Sequence, residues 1–161
     1  MSNEALSNLL HEERTFPPSP EFAAGAVAKA DLYDEAAKDR LAFWETQAGR
    51  LAWSAAWDDV LDWQPPYAKW FVGGQLNVAY NCVDRHVEAG HGDKVALHWV
   101  GEPGDTRTLT YRELKDEVCK AANALTSLGV QAGDRVAIYL PMIPEAMVAM
   151  LACAANSGGG G

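Results

Sequence analysis

The sequence has 161 residues, about the length of one domain, with 48% hydrophobic and 22% charged residues. This composition excludes a wholly disordered chain. The net charge of -9, from 13 Lys and Arg against 22 Asp and Glu, argues against nucleic acid as a partner. The three cysteines, Cys82, Cys119 and Cys153, are odd in number and widely spaced, as is typical of a reducing compartment, and we predict a cytoplasmic protein.

A membrane partner is also not expected. The N-terminus has no cationic start followed by an apolar run, so a secretory signal is not predicted. The apolar stretch 136–155 is long enough to cross a bilayer, but Pro141 and Pro144 interrupt it and its first five residues favour a strand. We therefore predict a buried strand, a turn and a helix in this stretch.

The first half of the chain predicts a helical, tryptophan-rich cap. Prolines keep 16–20 extended, and 31–52 favours one or two amphipathic helices. Five of the six tryptophans lie within 44–70, a segment that suggests few regular elements of its own. We expect them to dock on a larger body, with a sugar-stacking platform as the alternative. Acidic residues concentrate in this half, which suggests a domain boundary near Pro65-Pro66.

The second half predicts a helix, a hairpin and a further helix. Apolar spacing predicts a helix over 76–88, ended by the glycines that follow it. Two strands, 94–100 and 106–110, flank a glycine- and proline-marked turn of hairpin length. Thr110 and Glu113 fit a capping box at the start of a helix that runs to Gly129.

The end of the chain predicts an α/β domain with an incomplete parallel sheet. A strand over 135–140 is followed by a helix over 144–154. A parallel strand is stable when it is buried on both faces, and this one lacks most of its sheet. We therefore expect exposed apolar patches and aggregation. The apolar side chains expected to lose neighbours are Val136, Ile138, Leu140, Met147, Met150 and Leu151.

The sequence predicts no catalytic, cofactor-binding or metal-binding residue. Cys82, His86, His91 and His98 have poor spacing for zinc, so core or capping roles are preferred for them. The pair Gly73-Gly74 is too short for a phosphate loop, and no glycine-rich nucleotide motif occurs. No serine or cysteine lies where a nucleophile would be expected.

Three runs of sequence resemble the acetyl-CoA synthetases, a family of adenylate-forming acyl-CoA ligases. The longest, at 70–86, reads Trp-Phe-Val-Gly-Gly-Gln-Leu-Asn-Val-Ala-Tyr-Asn-Cys-Val-Asp-Arg-His. The others are Leu-Thr-Tyr-Arg-Glu-Leu at 109–114 and Gly-Asp-Arg-Val-Ala-Ile-Tyr-Leu-Pro-Met-Ile-Pro-Glu at 133–145. The similarity extends from about Phe16 to Ala154.

The resemblance implies a parent enzyme that activates acetate as acetyl-adenylate and transfers the acetyl group to coenzyme A. ATP, magnesium and CoA are implied for that parent, and no cofactor is expected on this stretch itself. The family's phosphate loop, adenine pocket, hinge and catalytic lysine do not appear. After Ala154, where family members continue with Arg-Ile-Gly, this sequence has Asn156, Ser157 and four glycines. We interpret this as truncation, which a frameshift, an incomplete gene model or deliberate design would each produce.

The resemblance also suggests domain bounds. We expect a flexible arm at 1–20, a cap at 21–75, the start of an adenylating domain at 76–154 and a glycine-rich tail at 155–161. Seven residues of the longest run are expected to have structural roles, through close backbone approach and through hydrogen bonds between the cap and the large domain. They are Gly73, Gly74, Asn77, Asn81, Asp84, Arg85 and His86.

Two hypotheses of function remain open from the sequence, besides the sugar binder. In the first, the chain is the inactive N-terminal piece of an acetate-CoA ligase, whose partner is the remainder of the synthetase. In the second, it is an interaction module that docks on a homologous, full-length chain through its aromatic cap.

Overall fold

A computed structural model of the chain describes residues 14–157. They belong to two compact units, Met1–Arg40 and Leu41–Gly161. The structure is 46% helical and contains two small antiparallel sheets. This mixture of helices and strands confirms the predicted fold class.

The described part of the first unit holds two short helices, α1 (Pro20–Ala24) and α2 (Asp31–Lys38). The prolines predicted an extended stretch up to Pro20, whereas Pro20 begins α1, because its fixed φ suits the first helical position. The Ser19 hydroxyl caps this helix by accepting a hydrogen bond from the Phe22 amide at 3.2 Å. The arm predicted at 1–20 lies mostly outside the described residues.

The second unit begins with α3 (Arg40–Ala48) and an unpredicted hairpin, β1 (Asp59–Gln64) and β2 (Tyr67–Val72). One or two helices were predicted over 31–52, and the structure has two there, α2 and α3. The boundary suggested at Pro65-Pro66 is wrong, because these prolines, joined by a cis peptide bond, form the hairpin turn. Both strands of the hairpin lie within one unit.

Part of the aromatic segment packs on itself rather than on a larger body. The rings of Trp53, Trp57 and Phe71 form a triangle with centroid distances of 5.0, 5.6 and 5.3 Å. Phe71 reaches this position with a left-handed backbone, φ +51°. Trp44 and Trp70 remain partly exposed and meet edge to face, with an angle of 69° between their rings, so they do not make a flat stacking surface.

A helical run over 78–91 follows the hairpin and contains two π-helical turns, Tyr80–Asp84 and Val87–His91. The predicted helix is therefore present, but the π turns were not expected. Gly90 adopts φ +84° and ends the regular geometry, as its position predicted. In the first π turn, the Arg85 amide donates to the Tyr80 carbonyl, one residue farther back than in an α-helix.

The second sheet and the next helix match the prediction closely. Strands β3 (Val95–Val100) and β4 (Thr106–Thr110) pair antiparallel and lead directly into α4 (Tyr111–Ser127). The Thr110 hydroxyl accepts from the Glu113 amide at 3.2 Å, and the Glu113 carboxylate accepts from the Thr110 amide at 2.8 Å. The capping box is thus present, and these hydrogen bonds from Thr110 lower the pKa of Glu113.

The last helix, α5 (Pro144–Ser157), packs against α4 and closes a small core. Leu151 was expected to lose its apolar neighbours but is buried, because it packs in one cluster with side chains of α4, β4 and the 78–91 helix. Two contacts with the second hairpin fix the start of α5. The Trp99 indole donates to the Met142 carbonyl at 2.7 Å, and Arg107 forms an ion pair with Glu145. The core cluster consists of Val83, Leu109, Leu114, Val118 and Leu151.

The strand predicted at 135–140 is not formed. This segment has no hydrogen-bonded strand neighbour among residues 14–157, and every residue from 131 to 140 is exposed. The physical reason is that a strand requires a partner, whereas a helix satisfies its backbone internally. The apolar exposure expected from the sequence is confirmed for five side chains, namely Val136, Ile138, Leu140, Met147 and Met150.

The apolar stretch near the end of the chain does not form a spanning helix. Among the described residues, no helix has the length and apolar character needed to cross a membrane.

The capping box can be tested by hydrogen exchange of the amides in the first turn of α4. We expect Thr110→Ala to accelerate their exchange about fivefold, because loss of an N-cap hydroxyl costs about 1 kcal/mol. Thr110→Ser keeps the hydroxyl and is the matched control, with exchange close to that of the unchanged chain. Equal acceleration in both variants would contradict a capping role for the hydroxyl.

Candidate functional site

The Asn81 side chain joins the helical run 78–91 to the segment before the first hairpin. Its amide oxygen accepts from the Ala52 amide at 2.8 Å, and its amide nitrogen donates to the Ala52 carbonyl at 2.8 Å. The same nitrogen donates to the Asn77 carbonyl at 3.0 Å. Asn81 is only 8% exposed, so both halves of its amide are satisfied by backbone groups in the interior.

Asn77, one turn earlier, joins the same helix to the end of α5. Its amide oxygen accepts from the Tyr80 amide at 3.0 Å and thereby caps the start of the helix. Its amide nitrogen lies 3.3 Å from the Ala154 carbonyl and 3.4 Å from the Ala155 carbonyl. Because the last carbonyls of a helix have no partner within it, Asn77 satisfies acceptors that α5 leaves open.

Arg85 forms a second link to the segment before the first hairpin. Its Nη1 donates to the Arg50 carbonyl at 2.9 Å. Its buried Nε has no hydrogen-bond partner among residues 14–157. Arg50 lies two residues before Ala52, so Asn81 and Arg85 hold the same short stretch of backbone at two points.

The two neighbours of Arg85 contact α4 instead. Asp84 pairs with Lys115 at 2.9 Å, and this hydrogen bond raises the pKa of the Lys115 ammonium. The His86 ring packs on the Tyr111 ring with 4.8 Å between centroids. The helix thus holds the aromatic segment through one set of side chains and the core helices through another.

Gly73 and Gly74 lie where β2 meets the aromatic triangle. A Cβ on Gly74 would come within 2.6 Å of the Trp53 ring and 3.0 Å of the Phe71 carbonyl. Gly73 has φ +80°, and a Cβ there would collide with the Asp58 carboxylate. The close approach therefore involves an indole ring at one glycine and a carboxylate at the other.

These surroundings do not fit a nucleotide or its magnesium ion. The space beside the two glycines is filled by Trp53 and by the negative carboxylate of Asp58, which would repel a phosphate. Within residues 14–157, no group of three His, Cys, Asp or Glu side chains is arranged to hold a metal ion. We derive no chemical step through ATP or magnesium from these residues.

The open groove beside these contacts also lacks a group of polar side chains that point toward one bound ligand. It has a volume of about 480 Å³ and lies between the 78–91 helix, α4 and α5. Its charged pair, Asp84 and Lys115, is satisfied internally, and its floor is formed by apolar side chains such as Val83 and Val118. Of the residues singled out in the sequence, those from Asn77 to His86 form a junction of helices, which we call the 77–86 junction. Gly73 and Gly74 lie apart from it, against Asp58 and Trp53.

Two residues that contact this part of the chain, Ala52 and Trp53, were not singled out as site residues from the sequence. Ala52 participates only through its backbone, and nothing in an alanine indicates a partner 29 positions away. Trp53 is one of the five clustered tryptophans and belongs to the run 50–53, which also resembles the family, and its indole donates to the Ala48 carbonyl at 2.9 Å. The tight pair of glycines was the only local sign that a large ring lies against the chain here.

The Asn81 contacts predict a large loss of stability on substitution. Asn81→Ala removes three hydrogen bonds of about 1 kcal/mol each, so we expect the free energy of unfolding to fall by about 2–3 kcal/mol. Urea unfolding at low micromolar concentration, followed by tryptophan fluorescence, measures this change. Asn123→Ala, at an exposed asparagine, is the control and should change stability by less than about 0.5 kcal/mol. Similar losses in the two variants would contradict the assigned role.

The Gly74 contact predicts a displaced indole. Gly74→Ala should push the Trp53 ring out of the aromatic triangle and lower the free energy of unfolding by about 1–3 kcal/mol, because overpacking forces neighbours from their positions. A red shift of tryptophan emission would report the exposure. Gly25→Ala, where a Cβ meets only ordinary contacts, is the control. Unchanged emission and stability would contradict the packing described.

Comparison with known families divides the chain into two adjoining matches. Residues 29–82 match the family model described as acetyl-coenzyme A synthetase N-terminus. Residues 83–158 match the family model of AMP-binding enzymes. The border between the two matches falls within the 77–86 junction.

The relatives are synthetases that are much longer than this chain. The acetyl-coenzyme A synthetase of Streptomyces avermitilis is 68% identical over 155 residues, which are 96% of this chain and 24% of the relative. That of Mycolicibacterium smegmatis is 70% identical over 154 residues, covering 93% of this chain and 16% of the relative. That of Deinococcus radiodurans is 54% identical, with 94% and 24% covered. The chain thus spans about a quarter or less of these curated relatives.

A solved structure shows the same local architecture. The acetoacetyl-CoA synthetase from Streptomyces lividans superimposes with a TM-score of 0.71 at 34% sequence identity. The match covers 86% of this chain and 22% of that one. The fold of this chain is therefore that of an acyl-CoA synthetase N-terminal region, and in sequence the chain belongs with the N-terminal region of the acetyl-CoA synthetases, within the adenylate-forming superfamily.

Proposed function

We propose that this chain supplies the N-terminal part of an acetate-activating synthetase, namely the aromatic cap and the first elements of the adenylating domain. The supporting observation is the 68% identity to the Streptomyces avermitilis enzyme over 155 residues, combined with a coverage of 24% of that enzyme. The whole enzyme would join acetate to coenzyme A through acetyl-adenylate, with ATP and magnesium as its requirements. It would work in the cytoplasm, a reducing compartment that suits its three free cysteines.

The contribution of this chain to that enzyme is structural. The 77–86 junction ties the cap segment at Arg50 and Ala52 to the helices of the adenylating part. Activation of a carboxylate by ATP needs positive charge and hydrogen-bond donors arranged around the phosphates. Asp84 of the junction pairs with Lys115 of α4, and Arg85 donates to the Arg50 carbonyl, so these charged side chains support a holding role. The proposed domain division, with a cap at 21–75 and the adenylating part from 76, is supported by the two adjoining family matches.

The proposal predicts that the chain has no synthetase activity by itself. The pure 161-residue chain should give no acetate-dependent exchange of pyrophosphate into ATP, since its sequence contains no glycine-rich phosphate-binding motif. The full-length Streptomyces avermitilis enzyme, assayed at the same concentration, is the positive control. Clear turnover by the pure chain, abolished when acetate is omitted, would refute the proposal.

A further inference from the structure

The first part of the larger unit, residues 41–75, is held together by its own contacts. It contains the aromatic triangle and both strands of the first hairpin. Its end is tied back to the segment before the hairpin, because the Gln75 amide donates to the Ala55 carbonyl at 3.0 Å. The Trp53 indole attaches the end of α3 by donating to the Ala48 carbonyl. We call these residues the 41–75 segment and the rest of the described unit the 76–157 part.

The two parts bury their apolar side chains in separate clusters. The core cluster and the partly buried apolar side chains packed against it all come from residue 83 or later. The aromatic triangle lies entirely within the 41–75 segment. Because shared apolar burial is the main force that makes two regions unfold together, separating these parts does not require either cluster to open.

Hydrogen bonds to one short stretch of backbone join the two parts. The amide and the carbonyl of Ala52 both bond to the Asn81 side chain, each at 2.8 Å. The Arg50 carbonyl accepts from Arg85 Nη1 at 2.9 Å. Directional bonds of this kind are lost after a small displacement, whereas apolar packing tolerates sliding. We call the contacts of Asn81 and Arg85 with this backbone the latch.

The chain crosses between the two parts at Leu76. Gln75, just before it, is bridged to Ala55, and Asn77, just after it, caps the 78–91 helix through the Tyr80 amide. A short connection between two anchored elements is where a hinge absorbs a change of backbone angle. A single crossing also leaves the 41–75 segment free to turn about that point once the latch is released.

We propose that the 41–75 segment opens from the 76–157 part as one body, hinged at Leu76, while both parts stay folded, and that Asn81 and Arg85 form the latch that keeps it closed. This opening requires less free energy than global unfolding, because it breaks the latch but exposes neither apolar cluster. The inference concerns the motion of this chain and does not depend on the proposed function.

Hydrogen exchange of the Ala52 amide in the full chain measures the opening, because its acceptor lies on the other part. Amides in the middle of α4 measure global unfolding. At low urea concentrations we expect exchange at Ala52 to depend weakly on urea and exchange in α4 to depend steeply on it, since the opening exposes little surface. The same steep dependence at both places would overturn the proposal.

Two variants distinguish the latch from the core. Asn81→Asp keeps the oxygen that accepts from the Ala52 amide but sets a second oxygen against the Ala52 carbonyl, so exchange at Ala52 should accelerate at least about tenfold. Asn123→Asp, the same change at an exposed asparagine, is the matched control and should leave that exchange unaltered. Equal rates at Ala52 in the two variants would overturn the role of Asn81 in the latch.

Val118→Ala weakens the core, which is folded in both the closed and the open forms. It should therefore accelerate exchange in the middle of α4 at least about tenfold and change exchange at Ala52 by less than about twofold. Acceleration by the same factor at both places would mean that the unit opens only by global unfolding, and it would overturn the proposal.

Arg85→Ala tests whether the two links of the latch open together. The change removes the donor to the Arg50 carbonyl and leaves the Asn81 contacts with Ala52 in place. If the segment opens as one body, exchange at Ala52 should accelerate at least about fivefold. Arg112→Ala, at an exposed arginine outside the latch, is the control and should have no effect there. Unchanged exchange at Ala52 in Arg85→Ala would indicate local fraying at Asn81 and would overturn the proposal.

Discussion

The structure of the larger unit depends on two asparagine side chains at the 78–91 helix, whose amides form hydrogen bonds with the backbone of distant segments. Asn81 satisfies both the amide and the carbonyl of Ala52, and Asn77 satisfies carbonyls at the end of α5. These bonds connect segments that are 29 and 77 or more positions apart. The core of the unit is a cluster of only five buried side chains. We therefore infer that these polar hydrogen bonds do much to fix how the helices are arranged.

The π-helical turns belong to the same arrangement. A π turn accommodates one extra residue and changes the direction in which the following side chains point. The first of these turns contains Asn81 and Asp84, which face different neighbours, Ala52 on one side and Lys115 on the other. One helix can therefore hold the aromatic segment and the core helices together. The border between the two matched families falls at this helix, which is consistent with a junction between two parts of a larger enzyme.

The sequence predicted the elements whose interactions join residues close together along the chain, and it failed where the interactions join distant residues. The capping box at Thr110 and the second hairpin follow from neighbouring residues, and both were predicted correctly. The first hairpin was missed because its turn is a pair of prolines, which suggested a boundary instead. The strand at 135–140 was predicted from its residue types, but pairing is a long-range property that those types cannot supply.

The candidate site shows the same limit. The sequence singled out Asn77, Asn81 and Arg85, and the structure gives each of them hydrogen bonds to distant backbone. Their partners could not be predicted, because every residue has a backbone carbonyl and the sequence does not show which one a side chain contacts. Glycines at tight approaches were easier to recognise, since a position without a side chain indicates that something large lies nearby.

The anchoring of α5 by the second hairpin bears on the order in which a longer synthetase would assemble during its synthesis. The contacts from Trp99 and Arg107 to the start of α5 join residues that are about 40 positions apart, so they can form while later parts of the polypeptide are still being made. The attachment of α5 to the second hairpin would then be complete before any later part of the polypeptide had left the ribosome.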